Sequence, residues 1–312
     1  MIYNATIIKG VGGLYTAYLD ETAEGEKTIN IRARGAFRHD KTTLMVGDRV
    51  EIEQVSDKEY FCKKILERKN SLIRPPLANL DILFIVVSAK KPDPVFETVD
   101  KMISIAEHNK IEPIIVISKS DLDGSFAKSI EEVYKKSGFK TFLTSSDTKE
   151  GVDIIYEYLK EISLDKNLIC AFSGASGAGK STLMNNLFPS LNLETGDLSL
   201  KIERGKNTTR HTELFPLCDL IDGGKYGFLA DTPGFSLLDF ERFDFFNLEN
   251  LFDTFREFRP SFGKCKYTKC SHTKEQGCDI IARVESGEIE KSRHDSYKSL
   301  YEILKKNPSW KK

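Results

Sequence analysis

The segment Gly174-Ala175-Ser176-Gly177-Ala178-Gly179-Lys180-Ser181, followed by Thr182, fits the pattern GxxxxGK[ST] and limits the surrounding fold more than any other stretch of the chain. An apolar run of strand length, 168–172, precedes it, and 182–188 repeats apolar residues at helical spacing after it. Between a strand end and a helix start, glycines let successive backbone N–H groups turn inward, and the helix N-terminus adds positive partial charge. In this context Lys180 is expected to reach the β and γ phosphates of a nucleotide, with the Ser181 hydroxyl completing a Mg²⁺ shell. The alternative is a glycine-rich turn that binds nothing, but Gly, Gly, Lys and Ser all stand at the demanded offsets.

Upstream, the pattern alternates regularly: strand 81–88, helix 95–109, strand 113–118, helix 125–136, strand 140–144 and helix 151–161, then the strand entering the phosphate loop. Strands that are apolar throughout, such as 82–87, are expected where helices cover both sheet faces, so the region reads as a doubly wound α/β domain. The second strand ends in Ser118-Lys119-Ser120-Asp121. The matching NKxD motif of GTP-binding proteins uses its carboxylate to accept from the guanine N1 and N2 donors, which adenine does not supply. Alone, the tetrapeptide is also an ordinary strand-to-loop sequence. One strand later, Ser145 and Ser146 are candidates for further contacts to the base.

Downstream, Asp231-Thr232-Pro233-Gly234 ends the apolar strand 226–230. An aspartate there suits water-mediated contact to Mg²⁺, and the Gly234 N–H suits sensing of a γ phosphate. The polar loop 204–211 between the two motifs offers a threonine hydroxyl to the metal. In ordinary GTPases the base-reading motif follows the phosphate loop, whereas here 118–121 precedes it. A parallel sheet can be cut and rejoined elsewhere when its termini lie close together, so the order fits a circularly permuted domain.

Residues 1–68 read as five short strands, 5–9, 14–19, 28–34, 49–54 and 60–66, with no convincing helix, which suggests a small closed OB-type barrel. Arg32, Arg34, Arg38 and Lys41 suit an oligonucleotide-binding face, and they equally suit a solvated surface on a structural domain. The segment 68–76, with Pro75 and Pro76 adjacent, reads as a linker. With a net charge of −1 the chain carries no global field toward nucleic acid, yet residues 255–312 hold fourteen Lys and Arg against eight Asp and Glu. The first residues lack a signal-peptide pattern and no apolar run approaches bilayer length, so a cytoplasmic protein is expected.

Cys62, Cys170 and Cys218 lie singly in apolar, strand-like stretches and read as small core residues. Cys265, Cys270, His272 and Cys278 form C-x4-C-x-H-x5-C, a set that closes a tetrahedral structural Zn²⁺ site with no vacancy for water. Helical spacing follows over 279–286 and 288–306, the latter carrying Lys291, Arg293, Lys298, Lys305 and Lys306, either a solvated face or an RNA-phosphate contact.

With these residues in view, the chain resembles the RsgA family, the circularly permuted GTPases of small ribosomal subunit biogenesis. The likeness rests on RGAFR and VGD in the barrel, the RxNxLxRP segment running to 78–81, and the order SKSD, GASGAGKS, TTR, DTPG, then the Cys/His cluster. The resemblance implies an N-terminal OB-type β-barrel over 1–68, a central α/β circularly permuted P-loop GTPase domain over 69–240, and a C-terminal α-helical zinc-binding domain over 241–312. It implies GTP hydrolysis stimulated by the 30S subunit and its 16S rRNA, with one structural Zn²⁺ and Mg²⁺ bound with GTP. Lys119 and Asp121 match the guanine-reading residues, Gly174 to Thr182 the phosphate loop, and Thr209 the threonine that senses Mg²⁺ and γ phosphate. The chain departs from the family at Ser118, where Asn is usual, and at Asn207, where a proposed water-positioning His is usual. Phe235 follows DTPG where Ras-like enzymes place a catalytic Gln, and a phenyl ring cannot orient water. A monomer is expected.

Overall fold

The computed structural model describes residues 1–21, 27–33, 43–56, 59–72, 76–145, 147–191, 212–231 and 247–306. The strands are β1 (Ile2–Val11), β2 (Leu14–Leu19), β3 (Thr28–Ala33), β4 (Arg49–Ser56), β5 (Glu59–Ile65), β6 (Ser71–Leu72), β7 (Leu77–Ala78), β8 (Ile82–Ser88), β9 (Glu112–Ser118), β10 (Lys140–Leu143), β11 (Ile169–Gly174), β12 (Glu213–Pro216) and β13 (Phe228–Asp231). The α-helices are α1 (Phe96–His108), α2 (Gly124–Lys136), α3 (Val152–Asp165), α4 (Lys180–Leu187), α5 (Leu217–Leu220), α6 (Asp279–Glu285) and α7 (Lys291–Lys306). The chain divides into two compact units, one drawn from Met1–Ile82, Tyr158–Phe172 and Leu198–Phe235, the other from Leu83–Glu157, Ser173–Asp197 and Ser236–Lys312.

In the first unit β1 pairs with both β2 and β4, and β3 and β5 complete the circuit, so the first five strands close into the expected barrel. Alternation drives it: Ala5, Ile7, Ala17, Ile31, Val50, Ile52 and Cys62 all point inward and are almost wholly buried. β1 also pairs antiparallel with β12, with Lys9 opposite Glu213 and the two side chains 2.8 Å apart. β12 in turn pairs antiparallel with β13, and β13 pairs parallel with β11.

Residues 73–75 of the expected linker lie outside the described residues, but residues 68–72 before them are not free. The Arg68 guanidinium reaches the buried Asp48 carboxylate at 2.6 Å, Lys69 pairs with Asp81 at 2.7 Å, and β6 pairs with β7. The Asn70 and Asn79 side chains bond Leu80 and Gly47 carbonyls. Cys62 and Cys170 are buried in strands as expected, but Cys218 lies on α5 and is partly exposed, its sulfur 3.6 Å from the Tyr18 hydroxyl. Pro216, extended at φ −59° and ψ 132°, ends β12 and starts that helix, which shifts Cys218 out of the strand.

In the second unit β8 is buried along its whole length, β9 and β10 pair in parallel, and α1 and α2 lay apolar stripes on the sheet. The Asp123 side chain accepts from the Phe126 amide and caps α2. The C-terminal region folds around Phe255 and Phe258, both fully buried, with Tyr297 and Leu300 of α7. Here Arg293, grouped with the basic residues of a solvated or RNA-contacting helix, departs from that expectation. Its side chain is buried and held by Asp100 of α1 at 2.5 Å and by Glu257 at 2.7 Å. Burial alone would lower its pKa, but Asp100 and then Glu257 raise it, so the guanidinium stays charged. No helix among the described residues is long and apolar enough to cross a membrane.

Removing one partner of a buried charge cluster leaves the others uncompensated, which typically costs about 3–5 kcal/mol. Arg293→Met is therefore expected to lower unfolding stability by about that amount in urea titration, and adding Asp100→Asn with Glu257→Gln is expected to restore most of it. A single substitution within about 1 kcal/mol of wild type would contradict this account.

Candidate functional site

The end of β11 and the start of α4 frame the phosphate loop. A Cβ on Gly174 would lie 2.4 Å from the Val86 carbonyl oxygen, so the loop leaves the sheet where no side chain fits. Gly179 stands at the N-cap of α4 with φ +88° and supplies no capping side chain. The first-turn amides of α4 thus receive no cap from the residue at its start, a geometry compatible with an anion there. Ala178 is buried, Ala175 and Lys180 to Thr182 are partly exposed, and Ser176 and Gly177 are exposed.

The 118–121 segment sits against this loop. The buried Ser118 hydroxyl donates to the Ala178 carbonyl at 2.5 Å, and the Lys119 ammonium donates to the Gly177 carbonyl at 2.8 Å and to that of Lys91. Lys119 takes φ +56°, which turns the chain at the end of β9. Asp121 is exposed, and the Ser120 amide donates to the Thr144 carbonyl, linking this turn to the end of β10. Ser145 is buried, and its hydroxyl accepts from the Thr148 amide. Two motifs separated by about fifty residues are thus fastened together by side-chain donors of the first and backbone acceptors of the second. The sequence marked Ser118 as a departure from Asn; it did not reveal that the shorter hydroxyl still reaches the loop.

Ser146, Thr209, Gly234, Asn207 and Phe235 lie outside the described residues, as do Arg34, Arg38 and Lys41. Asp231 is described in its backbone, as the last residue of β13 opposite Glu213.

The second candidate site is the Cys/His cluster. The ligand atoms of Cys265, Cys270, His272 and Cys278 lie within 4.8 Å of one another. Cys265 and Cys278 sulfurs are 3.9 Å apart, and each is 3.5 Å from His272 Nδ1. A tetrahedral Zn²⁺ with bonds near 2.3 Å to sulfur and 2.0 Å to nitrogen requires ligand edges of roughly 3.5–3.8 Å, so the set can hold a metal of that size. Burial, then the neighbouring Cys278 thiol, push Cys270 up to about 12, and burial lowers His272. Burial alone would raise Glu275, but hydrogen bonds from the Ser271 hydroxyl and amide and the Lys274 amide draw it down to about 2. That carboxylate binds the ligand loop to itself.

Ser118→Ala strands the buried Ala178 carbonyl, a loss of about 1–3 kcal/mol. We expect guanosine diphosphate affinity to fall roughly tenfold in a fluorescence titration, with Ser118→Thr retaining it. Unchanged affinity in the alanine variant would show that the bond does not shape the site.

Comparisons with known proteins identify the family of the chain. A model of the RsgA N-terminal domain matches residues 4–61, and a model of the RsgA GTPase matches residues 65–241. The small ribosomal subunit biogenesis GTPase RsgA of Caldanaerobacter subterraneus subsp. tengcongensis is 39% identical over 300 residues, covering 96% of this chain and 95% of its own. That of Ruminiclostridium cellulolyticum is 38% identical over 308 residues, covering 98% and 95%. The crystal structure of YjeQ from Thermotoga maritima is similar with a TM-score of 0.80 at 31% identity, over 97% of this chain and 99% of that one. The crystal structure of YloQ, described as a circularly permuted GTPase, gives 0.77 at 32% identity over 99% and 97%. With the GTPase model spanning more than half of the sequence and relatives alike along almost all of it, this chain belongs to the RsgA GTPase family.

Proposed function

We propose that the chain is a GTPase of small ribosomal subunit biogenesis that binds the 30S subunit and its 16S rRNA in the GTP state and leaves after hydrolysis to GDP and phosphate, late in maturation. The observation that supports the nucleotide reading is the pair of hydrogen bonds from Ser118 and Lys119 to the carbonyls of Ala178 and Gly177, which bring 118–121 beside 174–181. The names printed for the relatives supply the ribosomal context. The protein acts as a cytoplasmic monomer without a membrane partner.

In this reading Asp121 accepts from the guanine N1 and N2 donors, and Lys119, Ser120, Ser145 and Ser146 bound the base pocket. Gly174, Ala175, Ser176, Gly177, Ala178 and Gly179 wrap the phosphates with backbone N–H groups, joined by Lys180, Ser181 and Thr182. Lys180 stabilises charge on the transferred phosphoryl group as water attacks in line and the bond to the β-phosphate oxygen breaks. Ser181, Thr209 and Asp231 would hold Mg²⁺, and the Gly234 N–H would sense the γ phosphate. When bound, that ion would neutralise phosphate charge. Phe235 cannot orient the attacking water, so intrinsic turnover is slow and the ribosome completes the arrangement. Cys265, Cys270, His272 and Cys278 hold one structural Zn²⁺, and the barrel and the exposed lysines of the C-terminal region meet rRNA phosphates.

GTP turnover of the protein alone and with purified 30S subunits tests the proposal. We expect slow release of phosphate alone and a rise of at least roughly tenfold with subunits, the scale on which a partner that completes a phosphoryl-transfer site acts. Turnover that subunits leave unchanged would contradict it.

A further inference from the structure

His272 is the one ligand of the Cys/His cluster with a left-handed backbone, at φ +58°. A non-glycine residue persists there only when its surroundings hold it. Two consecutive carbonyls of this turn are gripped from outside the loop, both by α7. The Tyr297 hydroxyl donates to Ser271 O at 3.2 Å, and His294 Nε2 lies 2.7 Å from His272 O. A carbonyl oxygen can only accept, so the imidazole must carry a proton on Nε2. His294 and Tyr297 are three residues apart on one face of the helix, with rings nearly parallel at 14° and centroids 6.5 Å apart. The neighbouring Arg293 fixes that helix through Asp100 and Glu257, so the two donors are presented from an anchored element.

We propose that His294 and Tyr297 are positioning residues of the metal centre, holding Ser271 and His272 in the left-handed turn that aims His272 Nδ1 at the three sulfurs. The inference rests on the reading of the cluster as a metal site. Neither residue is a ligand: each acts on the centre through a backbone carbonyl of the ligand loop. Outer partners of this kind commonly change metal affinity by 10–100-fold.

The test is a competition titration of the full-length, metal-free protein with Zn²⁺ against a chromophoric chelator at fixed pH, alongside thermal unfolding of the metal-free forms. Tyr297→Phe keeps the ring and removes only the hydroxyl; His294→Phe keeps a ring and removes the donor; His294→Gln retains a donor. We expect Tyr297→Phe and His294→Phe each to weaken Zn²⁺ binding by about 10-fold or more while His294→Gln stays nearer to wild type. Metal-free unfolding of Tyr297→Phe should match wild type, which separates positioning of the metal from general packing. Should His294→Phe fail to fold, Tyr297→Phe decides alone. Wild-type protein that takes up no stoichiometric zinc would overturn the metal reading itself. One tightly bound zinc in wild type with equal affinity in Tyr297→Phe would overturn only the positioning role.

Discussion

The Ser118 hydroxyl and the Lys119 ammonium each donate a hydrogen bond to a carbonyl of the phosphate loop, and the nucleotide reading depends on those two bonds. A phosphate loop binds any nucleotide; a carboxylate such as Asp121 discriminates among bases only if it is held at a set distance from the phosphates. The tie is made between segments whose order in the chain is reversed relative to ordinary GTPases. It survives the reversal because hydrogen bonds depend on which strand ends lie close in space and not on which came first in the chain. Buried β8 and β9 supply the rigid base, and the loop and the base motif both project from strand ends.

The same economy of charge governs the C-terminal region. Its surplus of Lys and Arg looks like one cationic surface, but several of the arginines are committed to carboxylates, Arg293 in the interior. Arg293 serves Asp100 and Glu257, Arg256 serves Glu107 and Glu112, and Arg283 serves Glu288. A buried guanidinium with two carboxylates costs less than any of the three alone, because each compensates the desolvation of the others. Among the described residues, the exposed lysines remain for a polyanion, Lys264, Lys266, Lys269 and Lys274 around the ligand loop among them.

Local features were legible where the physics is local. Glycine at the demanded offsets, apolar runs bounded by turns and alternating strands located the phosphate loop, the five barrel strands and the α/β alternation, with ends off by a residue or a few. Ligand spacing sufficed for the Cys/His cluster because its geometry closes within fourteen residues. What failed was non-local. Adjacent prolines in the sequence suggest a linker, yet residues 68–69 just before them are tied down by Asp48 and Asn79, which nothing in the local composition announces. Arg293 has the periodicity of an exposed helix face, and its partner Asp100 lies 193 residues away. Ser118 looked like a weakened motif because a motif records residue type, whereas the structure records reach.

The central claim is that one guanine-reading motif and one phosphate loop form a single pocket. Displacement of a fluorescent guanosine diphosphate analogue by unlabelled GDP and by ADP tests it most directly. The account predicts that GDP competes at least about 100-fold better, the discrimination expected when a site built for hydrogen-bond donors meets a base that lacks them. Equal competition by ADP would show that Asp121 reads no base and would contradict it.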